Sequence, residues 1–288
     1  MDHIQCPVCG NSSKLKFRLK FNVYKCTACG LFTSDAGFDF SFKSKLDEGP
    51  REVGLKTLRF GNFYTIVDEL QKVKPGELNG LEIGSGNGWW LKVCQEKGIT
   101  CTGVEPEKSF EAYHKENGLN VFYGFYPNEA VLSKTGYDFI IFNDVFEHIK
   151  DLDELIAALK EDLAPDGVLI INLPMSDGFF YRTAVLLNKF GIKSYLERLW
   201  QFYFHSPHMN YFNQENLKML LDRHGFKNIA DFKLNSLDFT TLKERIRADG
   251  AVSKMKAIFL TTGISVLKPV IESSKPDVRA FFFTKENQ

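Results

Sequence analysis

The clearest chemical signal in this sequence is the run Leu81-Glu82-Ile83-Gly84-Ser85-Gly86-Asn87-Gly88. An apolar stretch typical of a strand leads into three closely spaced glycines, and we predict that a helix follows. Because glycine has no Cβ, such a turn lets a bound cofactor approach the backbone closely. The run does not match the dinucleotide fingerprint G-x-G-x-x-G, because that pattern requires its third glycine at position 89, where this chain has Trp89. The Glu82 carboxylate would repel a pyrophosphate and attract a cationic ligand.

The segment from Glu82 to Gly88 resembles the first motif, E/D-x-G-x-G-x-G, of the Rossmann-like class I methyltransferases, which use S-adenosylmethionine (SAM). The resemblance covers residues 55–285 approximately. It implies a SAM site, since the sulfonium and amino groups of SAM suit an acidic residue, and the implied binding residues are Glu82, Gly84, Ser85, Gly86 and Gly88. The residues alone leave open a tight turn in another kind of α/β protein.

Further candidate cofactor residues follow the later predicted strands, because ligands of doubly wound sheets bind beyond the carboxyl ends of the strands. Glu105 lies 21 residues beyond Gly84, where an acidic residue receives ribose hydroxyls, and a helix N-cap is the structural alternative. The resemblance implies that Phe125 borders the adenine, although core packing would explain it equally well. It also implies that Asn143 bounds the methionine part of SAM.

The candidate catalytic residues are Asp144, His148 and His208. Asp144 and His148 stand in residues 143–149, a segment that resembles the family's fourth motif. His208 opens an H-x3-F-x4-L stretch similar to that of one broad subgroup of the family. If a hydroxyl is methylated, either histidine could act as the general base, a role worth roughly 10²–10⁴-fold in rate. The alternatives are a helix-start or supporting role for His148 and a structural role for His208.

Residues 143–149 also carry information on the acceptor. Many relatives that methylate amines have Pro-Pro-Tyr after this strand, and the present sequence lacks it. An exocyclic amine is therefore a less favoured acceptor than a hydroxyl.

Four of the six cysteines form two C-x2-C pairs, Cys6 with Cys9 and Cys26 with Cys29. Sixteen residues separate the pairs, which matches the spacing of a tetrahedral zinc site. Gly10 and Gly30 follow the pairs and suit the tight turns of such sites. Four thiolates leave no open position, so the predicted Zn²⁺ is structural. Two disulfides in a secreted protein are the alternative.

The composition limits the partners of the chain. Lys plus Arg and Asp plus Glu both number 36 among 288 residues. The zero net charge disfavours a protein that coats nucleic acid, although residues 14–25 form a local basic face. No signal peptide is recognisable, and the longest apolar run, 257–271, is interrupted by polar residues and shorter than the ~18 residues of a membrane span. We expect a cytoplasmic protein without a membrane span.

Strand-like and helix-like segments alternate along most of the chain, which predicts a doubly wound, mostly parallel α/β sheet. The resemblance implies seven strands, the last of them antiparallel. We predict strands at 79–84, 99–104, 119–123, 137–143, 168–173, 228–239 and 279–284. We predict helices at 55–73, 88–97, 107–117, 214–224 and 251–272, and another that opens at Asp151 with a capping box.

The predicted organisation has three parts, namely a zinc ribbon at 1–32, a linker at 33–54 and a methyltransferase domain at 55–288. Residues 175–212 form an aromatic-rich insertion, which the resemblance places over the substrate pocket. The underside of a helical lid is a second interpretation, compatible with the first.

These features together predict a SAM-dependent methyltransferase that acts on a small or carrier-linked acceptor. Our first hypothesis for the acceptor group is a sugar hydroxyl, for example on a nucleotide sugar. It depends on the zero net charge, on the aromatic insertion, and on the resemblance of the His208 stretch to a subgroup often associated with such pathways. The second hypothesis is an RNA methyltransferase that holds RNA with its zinc ribbon. The third is a non-catalytic scaffold with a methyltransferase fold.

Overall fold

The computed structural model describes residues 3–39, 48–133, 135–247 and 253–286. The strands are β1 (His3–Gln5), β2 (Ser12–Arg18), β3 (Asn22–Cys26), β4 (Phe32–Ser34), β5 (Asn79–Ile83), β6 (Thr100–Glu105), β7 (Val121–Tyr123), β8 (Tyr137–Asn143), β9 (Leu163–Pro174), β10 (Asn210–Tyr211), β11 (Phe226–Lys233) and β12 (Val278–Lys285). The helices are α1 (Glu48–Val73), α2 (Trp89–Glu96), α3 (Glu111–Glu116), α4 (Leu152–Asp162), α5 (Phe179–Lys189), α6 (Ser194–Leu199), α7 (Gln214–Arg223), α8 (Leu242–Arg247), α9 (Lys254–Val266) and α10 (Lys268–Ser273). Short 3-10 helices lie at Glu129–Val131 and Phe146–His148.

A seven-stranded sheet forms the larger part of the molecule, with the spatial order β11-β12-β9-β8-β5-β6-β7. β12 runs antiparallel to both of its neighbours, and the remaining pairs are parallel. The predicted doubly wound, mostly parallel sheet is therefore confirmed. The strand order reverses at β5, which lies between β8 and β6, so the cofactor crevice of such a sheet belongs at the carboxyl end of β5.

The central strands are buried on both faces, which explains their near-continuous apolar sequence. In β8, Ile140 and Phe142 enter the core on one face, and Phe139 and Ile141 enter the core on the other. Burial of side chains of this size contributes about 1.5–3 kcal/mol each. The polar residues that the same strands carry at their carboxyl ends are thus exceptions that require an explanation.

The helix starts are capped differently at α7 and α4. Asn213 caps α7, and a capping box forms because the Asn216 side chain accepts in return from the Asn213 amide, each bond being 2.9 Å. The capping box predicted at Asp151 is wrong, since the Asp151 side chain makes no capping hydrogen bond to α4. Asn213 is a common type of N-cap residue, whereas Asn216 takes the position that Glu or Gln usually occupies in a capping box.

The N-terminal residues form a second, antiparallel sheet with the order β1-β2-β3-β4-β10. Its last strand, β10, comes from the aromatic insertion, with Tyr211 opposite Phe32. Aromatic and aliphatic side chains of both regions share one core, which contains Phe17, Val23, Phe32, Ala36, Tyr181, Ala184, Leu196, Trp200, Phe202 and Tyr211. Much of the aromatic insertion is therefore occupied in binding the N-terminal sheet.

The observed elements cross the predicted domain boundaries, and the division itself stays a prediction. β4 spans the boundary set at residue 32, and α1 begins at Glu48 inside the region predicted as a linker. The helix predicted at 251–272 lies partly outside the described residues, and its described part is divided into α9 and α10 at Leu267. None of the helices in the described ranges combines the length and the apolarity needed to cross a membrane.

Candidate active site and metal centre

The glycine-rich loop leaves the carboxyl end of β5 and is fixed to β6. The amides of Gly84 and Ser85 both donate to the Val104 carbonyl, at 2.8 and 3.1 Å. Gly84 and Gly86 have φ angles of 74° and 52°, which side-chain-bearing residues rarely adopt. A Cβ added at Gly84 would lie 2.6 Å from the Val145 side chain, whereas the space at Gly86 is open among the described residues. A ligand can therefore approach the backbone at Gly86.

Glu105 supports this loop from the end of β6. Its Oε2 accepts from the Gly86 amide at 2.7 Å, and its Oε1 accepts from the Glu107 amide at 3.0 Å. Burial raises the pKa of Glu105, and these two amides oppose the rise. A carboxylate has about four acceptor positions, so ribose hydroxyls can still bind beside the two amides. The N-cap alternative is wrong, because α3 has Phe110 at that position.

Three polar side chains form a line across the ends of β9, β8 and β5. Asn172 donates to Asn143 Oδ1 at 3.3 Å, and Asn143 donates to Glu82 Oε1 at 2.9 Å. Burial raises the pKa of Glu82 well above its ordinary value, with the Asn143 hydrogen bond opposing the rise. In the described part of the chain, Glu82 Oε2 has no hydrogen-bond partner. A buried, unpaired carboxylate oxygen fits a cationic ligand such as SAM.

Asp144 follows Asn143 in the sequence and has a left-handed backbone conformation, with a φ of 55°. Its carboxylate pairs with the Arg59 guanidinium of α1 at 2.9 Å, and both side chains are about one-third exposed, at 29% and 33%. Its amide donates to the Asn172 carbonyl at 2.9 Å. Such a backbone conformation costs on the order of 1–3 kcal/mol and is concentrated at functional sites. Asp144 thus lies at the mouth of the crevice, with a cation beside it.

His148 and His208, which the sequence places 60 residues apart, lie together with Glu147. All three are buried, and their ligand atoms lie within 4.8 Å of one another. The two imidazole rings meet edge to face, with centroids 4.6 Å apart. His208 Nε2 lies 3.8 Å from Glu147 Oε1. A group of this kind can share a proton or hold a cation.

The hydrogen bonds of His148 determine which nitrogen is available. Its Nδ1 lies 3.1 Å from the Pro207 carbonyl, which can only accept, and 3.1 Å from the Ser206 hydroxyl. We therefore assign the proton to Nδ1, which leaves Nε2 as the acceptor. The backbone carbonyl orients the ring, as an oriented base requires.

Burial controls protonation throughout this group. It lowers the pKa of His148 to about 4 and places the pKa of His208 well below its ordinary value. It also raises the pKa of Glu147 well above the ordinary carboxyl value, with the neighbouring Asp144 adding to the rise. The 3.8 Å contact between Glu147 and His208 is therefore a contact between neutral groups rather than an ion pair. Both histidines are therefore neutral near neutral pH.

The surroundings of the histidine group contain further signs of function. Gln201 Nε2 lies 2.9 Å from His208 Nε2, and Gln201 has a φ of 52°. Asp144 and Gln201 are the two non-glycine residues with positive φ in the described ranges. Both Glu147 carboxyl oxygens and His208 Nδ1 have no hydrogen-bond partner within those ranges. Strain and unpaired buried polar atoms thus coincide at one place.

The structure brings together most of the predicted site residues, with two qualifications. The Ser85 hydroxyl faces Gly103 of β6, since a Cβ added there would lie 2.6 Å from it, so only the Ser85 backbone remains for the cofactor. Phe125 follows β7 and is 64% exposed, which excludes core packing as its explanation. Gly88 lies at the N-terminus of α2 with a φ of 78°.

Sequence reasoning missed Arg59 and Asn172, and it noted Glu147 only as half of a Glu-His pair without a role of its own. Asn172 had a usable signal, because it interrupts the apolar run of β9 next to its carboxyl end. Glu147 stands between two predicted residues, yet only its complete burial distinguishes it from a surface acid. Arg59 lies on α1, far away in the sequence, and nothing in its local pattern marks it.

The four N-terminal cysteines form a compact group and are not joined by disulfides. Sγ of Cys6 lies 3.5 Å from that of Cys29, and Sγ of Cys9 lies 3.5 Å from that of Cys26. Tetrahedral thiolates at the Zn–S distance of ≈ 2.3 Å would be about 3.8 Å apart, so the donor set fits Zn²⁺. Ala28 N lies 3.4 Å from Cys26 Sγ, as expected for amides that support thiolates.

This cysteine group is attached to α7 of the larger domain. The Arg223 guanidinium donates to the Val8 carbonyl at 2.8 Å, and the Asn216 amide donates to the Cys29 carbonyl at 3.4 Å. Val8 and Leu31 are fully buried in a core that also contains Leu217 and Leu220 of α7. The N-terminal sheet is thus anchored at both α7 and β10.

Comparison with known proteins agrees with this site. Residues 56–231 match the family described as "Methyltransferase domain". The ubiquinone biosynthesis O-methyltransferase of Rickettsia canadensis is 29% identical over 100 residues, which cover 33% of this chain and 42% of that protein. The C-methyltransferase NovU of Streptomyces niveus is 26% identical over 153 residues, which cover 51% of this chain and 32% of NovU. The matches thus span less than half the length of these relatives.

Solved structures show the same fold. The cyclopropane synthase MmaA2 of Mycobacterium tuberculosis superposes with a TM-score of 0.53 at 16% identity, covering 77% of this chain and 84% of MmaA2. The plantazolicin methyltransferase BpumL, in complex with S-adenosylhomocysteine (SAH), gives a TM-score of 0.50 at 16% identity, covering 83% of this chain and 88% of BpumL. The fold and the glycine loop are those of the Rossmann-like class I methyltransferases. The chain belongs to the methyltransferase-domain family.

Proposed function

We propose that this enzyme transfers the SAM methyl group to a hydroxyl of a small or carrier-linked acceptor. The observation that carries the proposal is the buried pair of neutral histidines: His148 follows the strand that carries Asn143, and His208 of the aromatic insertion packs against it. A hydroxyl must lose its proton as it is methylated, and an oriented neutral imidazole is suited to accept it. The non-catalytic scaffold has no such support.

The residues divide into a cofactor half and a proton-transfer half. SAM, when bound, supplies an electrophilic methyl group on a sulfonium. Glu82 and Asn143 would face its cationic methionine part, Gly84 and Gly86 would admit it to the backbone, and Glu105 would receive its ribose. Gly88 at the start of α2 and the backbone of Ser85 would also contact the cofactor. Phe125 would pack against the adenine ring. The Arg59 guanidinium, which pairs with Asp144, could also pair with a carboxylate of the ligand.

His148 Nε2 would accept the hydroxyl proton, because Nδ1 is committed to the Pro207 carbonyl. His208 and Glu147 would exclude water and shape the acceptor side of the site. General-base catalysis of this kind is worth roughly 10²–10⁴-fold. Positioning of the acceptor oxygen in line with the methyl group would supply most of the remainder, about 7–11 kcal/mol at best.

The identity of the acceptor stays the most open part of the proposal. A sugar hydroxyl remains our first hypothesis from the sequence, but the relatives named above do not support a sugar in particular. One of them is an O-methyltransferase and another is a C-methyltransferase. A hydroxyl and a C–H acceptor both lose a proton when they are methylated, so the same neutral base could serve either one.

We further propose that Cys6, Cys9, Cys26 and Cys29 hold a structural Zn²⁺ and that the N-terminal sheet supports the insertion rather than RNA. Lys20, in the basic face predicted at 14–25, donates to the Phe202 carbonyl of the insertion at 2.7 Å. This contact uses part of the basic face within the molecule. Nucleic acid therefore remains the less favoured partner.

The first test is calorimetric titration of the zinc-loaded protein with SAM and SAH, followed by an acceptor screen read out as SAH release. The panel contains nucleotide sugars, phenols and RNA, and Glu105→Ala is the cofactor-site variant. We expect SAM binding that Glu105→Ala weakens without loss of zinc, and turnover with a hydroxyl acceptor. Turnover with RNA alone, or with amines alone, would overturn the proposal.

A further inference from the structure

The backbone of His208 and Met209 is held by hydrogen bonds to three different parts of the molecule. The His208 amide donates to the Trp200 carbonyl at 3.0 Å, within the aromatic insertion. The Met209 amide donates to the Glu147 carbonyl at 2.9 Å, in the 3-10 helix after β8. The third partner is Ser34 of β4, whose hydroxyl donates to the His208 carbonyl at 2.7 Å and whose amide donates to the Met209 carbonyl at 2.8 Å. One residue of the N-terminal sheet thus bonds twice to the segment that carries a candidate catalytic histidine.

This contact between Ser34 and His208 lies in the interior. Ser34 is 7% exposed, and the preceding residue, Thr33, pairs with Asn210 in the ladder between β4 and β10. The Asn210 side chain in turn donates to the Ile149 carbonyl at 3.0 Å, just after the 3-10 helix. Because a buried acceptor that loses its donor is costly, the His208 carbonyl is restrained to follow the Ser34 hydroxyl.

The cysteine group determines where β4 lies. Cys26 is the last residue of β3, and Cys29 belongs to the short connection that leads into β4. The Cys26 amide donates to the Leu31 carbonyl at 2.8 Å, which closes this connection. Ser34 follows Cys29 by five positions. A metal ion held by the four thiolates would therefore fix the turn from which β4 starts.

The opposite end of the same hairpin is also closed. Val23 of β3 pairs with Ser34, and the Asp35 carboxylate accepts from both the amide and the side chain of Asn22, each at 2.8 Å. The Asp35 amide donates back to the Asn22 carbonyl at 3.1 Å. Ser34 is thus held between the cysteine group at one end of the hairpin and this polar lock at the other.

We propose that the N-terminal sheet positions His208 in the active site and that Ser34 is the residue through which it acts. The inference rests on the role proposed above for the histidine group. The cysteine group holds β4, β4 holds the backbone of His208, and the His208 ring keeps its edge-to-face contact with His148, with centroids 4.6 Å apart. Turnover would then depend on four cysteines that the structure places beside α7.

The cofactor residues depend on other contacts, which makes this role separable from a general loss of structure. Glu82 is bonded to Asn143, and Glu105 is bonded to the Gly86 amide, all within the larger sheet and its loop. A displacement of the N-terminal sheet should therefore reduce turnover and leave SAM affinity nearly unchanged.

The first test compares Ser34→Ala with Ser34→Thr in the full-length, zinc-loaded protein. Alanine removes the hydroxyl that bonds to His208, whereas threonine keeps one. Ser34→Ala should lower kcat about ten- to hundredfold, since a misplacement of ~1 Å can cost 10²-fold, and Ser34→Thr should retain most of the parent kcat. Ser13→Ala is the matched control, because Ser13 is a fully buried serine of the same sheet whose hydroxyl has no hydrogen-bond partner in the described part of the chain. It should keep the parent kcat.

The second test needs no acceptor and follows the histidine rings by nuclear magnetic resonance. Ser34→Ala, and the parent after removal of zinc with a chelator, should shift the ring signals of His208 and leave those of His114 on α3 in place. Added Zn²⁺ should restore the signals of the parent. Shifted signals in an enzyme that methylates no hydroxyl would support the positioning role and overturn only the acceptor assignment.

Three results would overturn the inference itself. Unchanged ring signals or an unchanged kcat in Ser34→Ala would show that the contact does not position His208. An equal loss of kcat in Ser34→Thr would show that the hydroxyl is not the group that matters. A parallel loss of SAM affinity, measured by calorimetric titration, would show that the N-terminal sheet supports the whole crevice and has no particular effect on the histidine.

Discussion

Within the described part of the chain, two groups of side chains bring at least three possible ligand atoms within 4.8 Å of one another, and they were unequally visible in the sequence. The cysteine group consists of two local pairs, whose spacing alone predicts its chemistry. The group of Glu147, His148 and His208 joins a 3-10 helix after β8 to the aromatic insertion, and its meaning comes from burial. Residue spacing thus reveals sites whose residues are close in the sequence. Sites whose residues meet only in the folded chain are revealed instead by buried polar atoms without a hydrogen-bond partner.

The largest effect should come from breaking the cysteine group. In Cys26→Ser the fourth thiolate is lost, so zinc content should fall below stoichiometry. The free energy of unfolding should drop on the order of 5 kcal/mol or more, because metal binding of this kind contributes about 10–16 kcal/mol to folding. Metal analysis and denaturant unfolding measure both. Cys101→Ser, outside the group, is the control that should keep its zinc, and stoichiometric zinc in Cys26→Ser would refute the four-cysteine site.

Breaking the histidine group should instead affect turnover. His148→Gln removes the proton acceptor and keeps a polar side chain of similar size. We expect kcat to fall roughly 10²–10⁴-fold, with SAM affinity nearly unchanged. Steady-state kinetics and SAM titration separate the two effects. A parallel loss of SAM affinity would show that His148 supports the fold of the crevice and does not accept the proton.

The same histidine should also make stability depend on pH. Its pKa is about 4 in the folded protein and about 6.5 when unfolded, so the unfolded state binds more protons between these values. Stability should therefore be complete above pH ~6.5 and fall by up to about 3 kcal/mol as the pH drops through ~4. Urea unfolding across this range measures the slope. His148→Gln should flatten the slope, and an unchanged slope in that variant would assign the effect to other groups.

These contrasts show which features the sequence could predict and which it could not. The glycine turn, the strands and the cysteine pairs depend on neighbouring residues, and their physical signals are local. β10 is a strand of two residues that forms only because β4 offers it an edge, so no local pattern predicts it. Arg59 meets Asp144 only after α1 packs beside β8, and the same long-range packing joins His148 to His208.

A smaller effect is expected in the cofactor half of the site. Glu82→Gln keeps the size of the side chain and removes its ability to become a carboxylate beside the ligand. SAM affinity should fall about tenfold, and SAH affinity should fall less because SAH lacks the sulfonium charge. In the parent protein SAM affinity should also rise with pH, since burial raises the pKa of Glu82 and only its ionised form attracts a cation. Equal losses for SAM and SAH would contradict a charge-based role.

The smallest effect tests whether every unpaired buried atom marks a ligand contact. The Ser85 hydroxyl is buried and has no partner within the described ranges, as is true of Glu82 Oε2. It faces Gly103 beneath the loop, however, and not the open space at Gly86. Ser85→Ala should therefore leave SAM affinity unchanged and alter the free energy of unfolding by less than about 1 kcal/mol, because it removes a hydroxyl that makes no hydrogen bond. A clear loss of SAM affinity in calorimetric titration would mean that the Ser85 hydroxyl turns towards the cofactor. The lack of a hydrogen-bond partner would then predict a ligand contact better than the direction in which the side chain points.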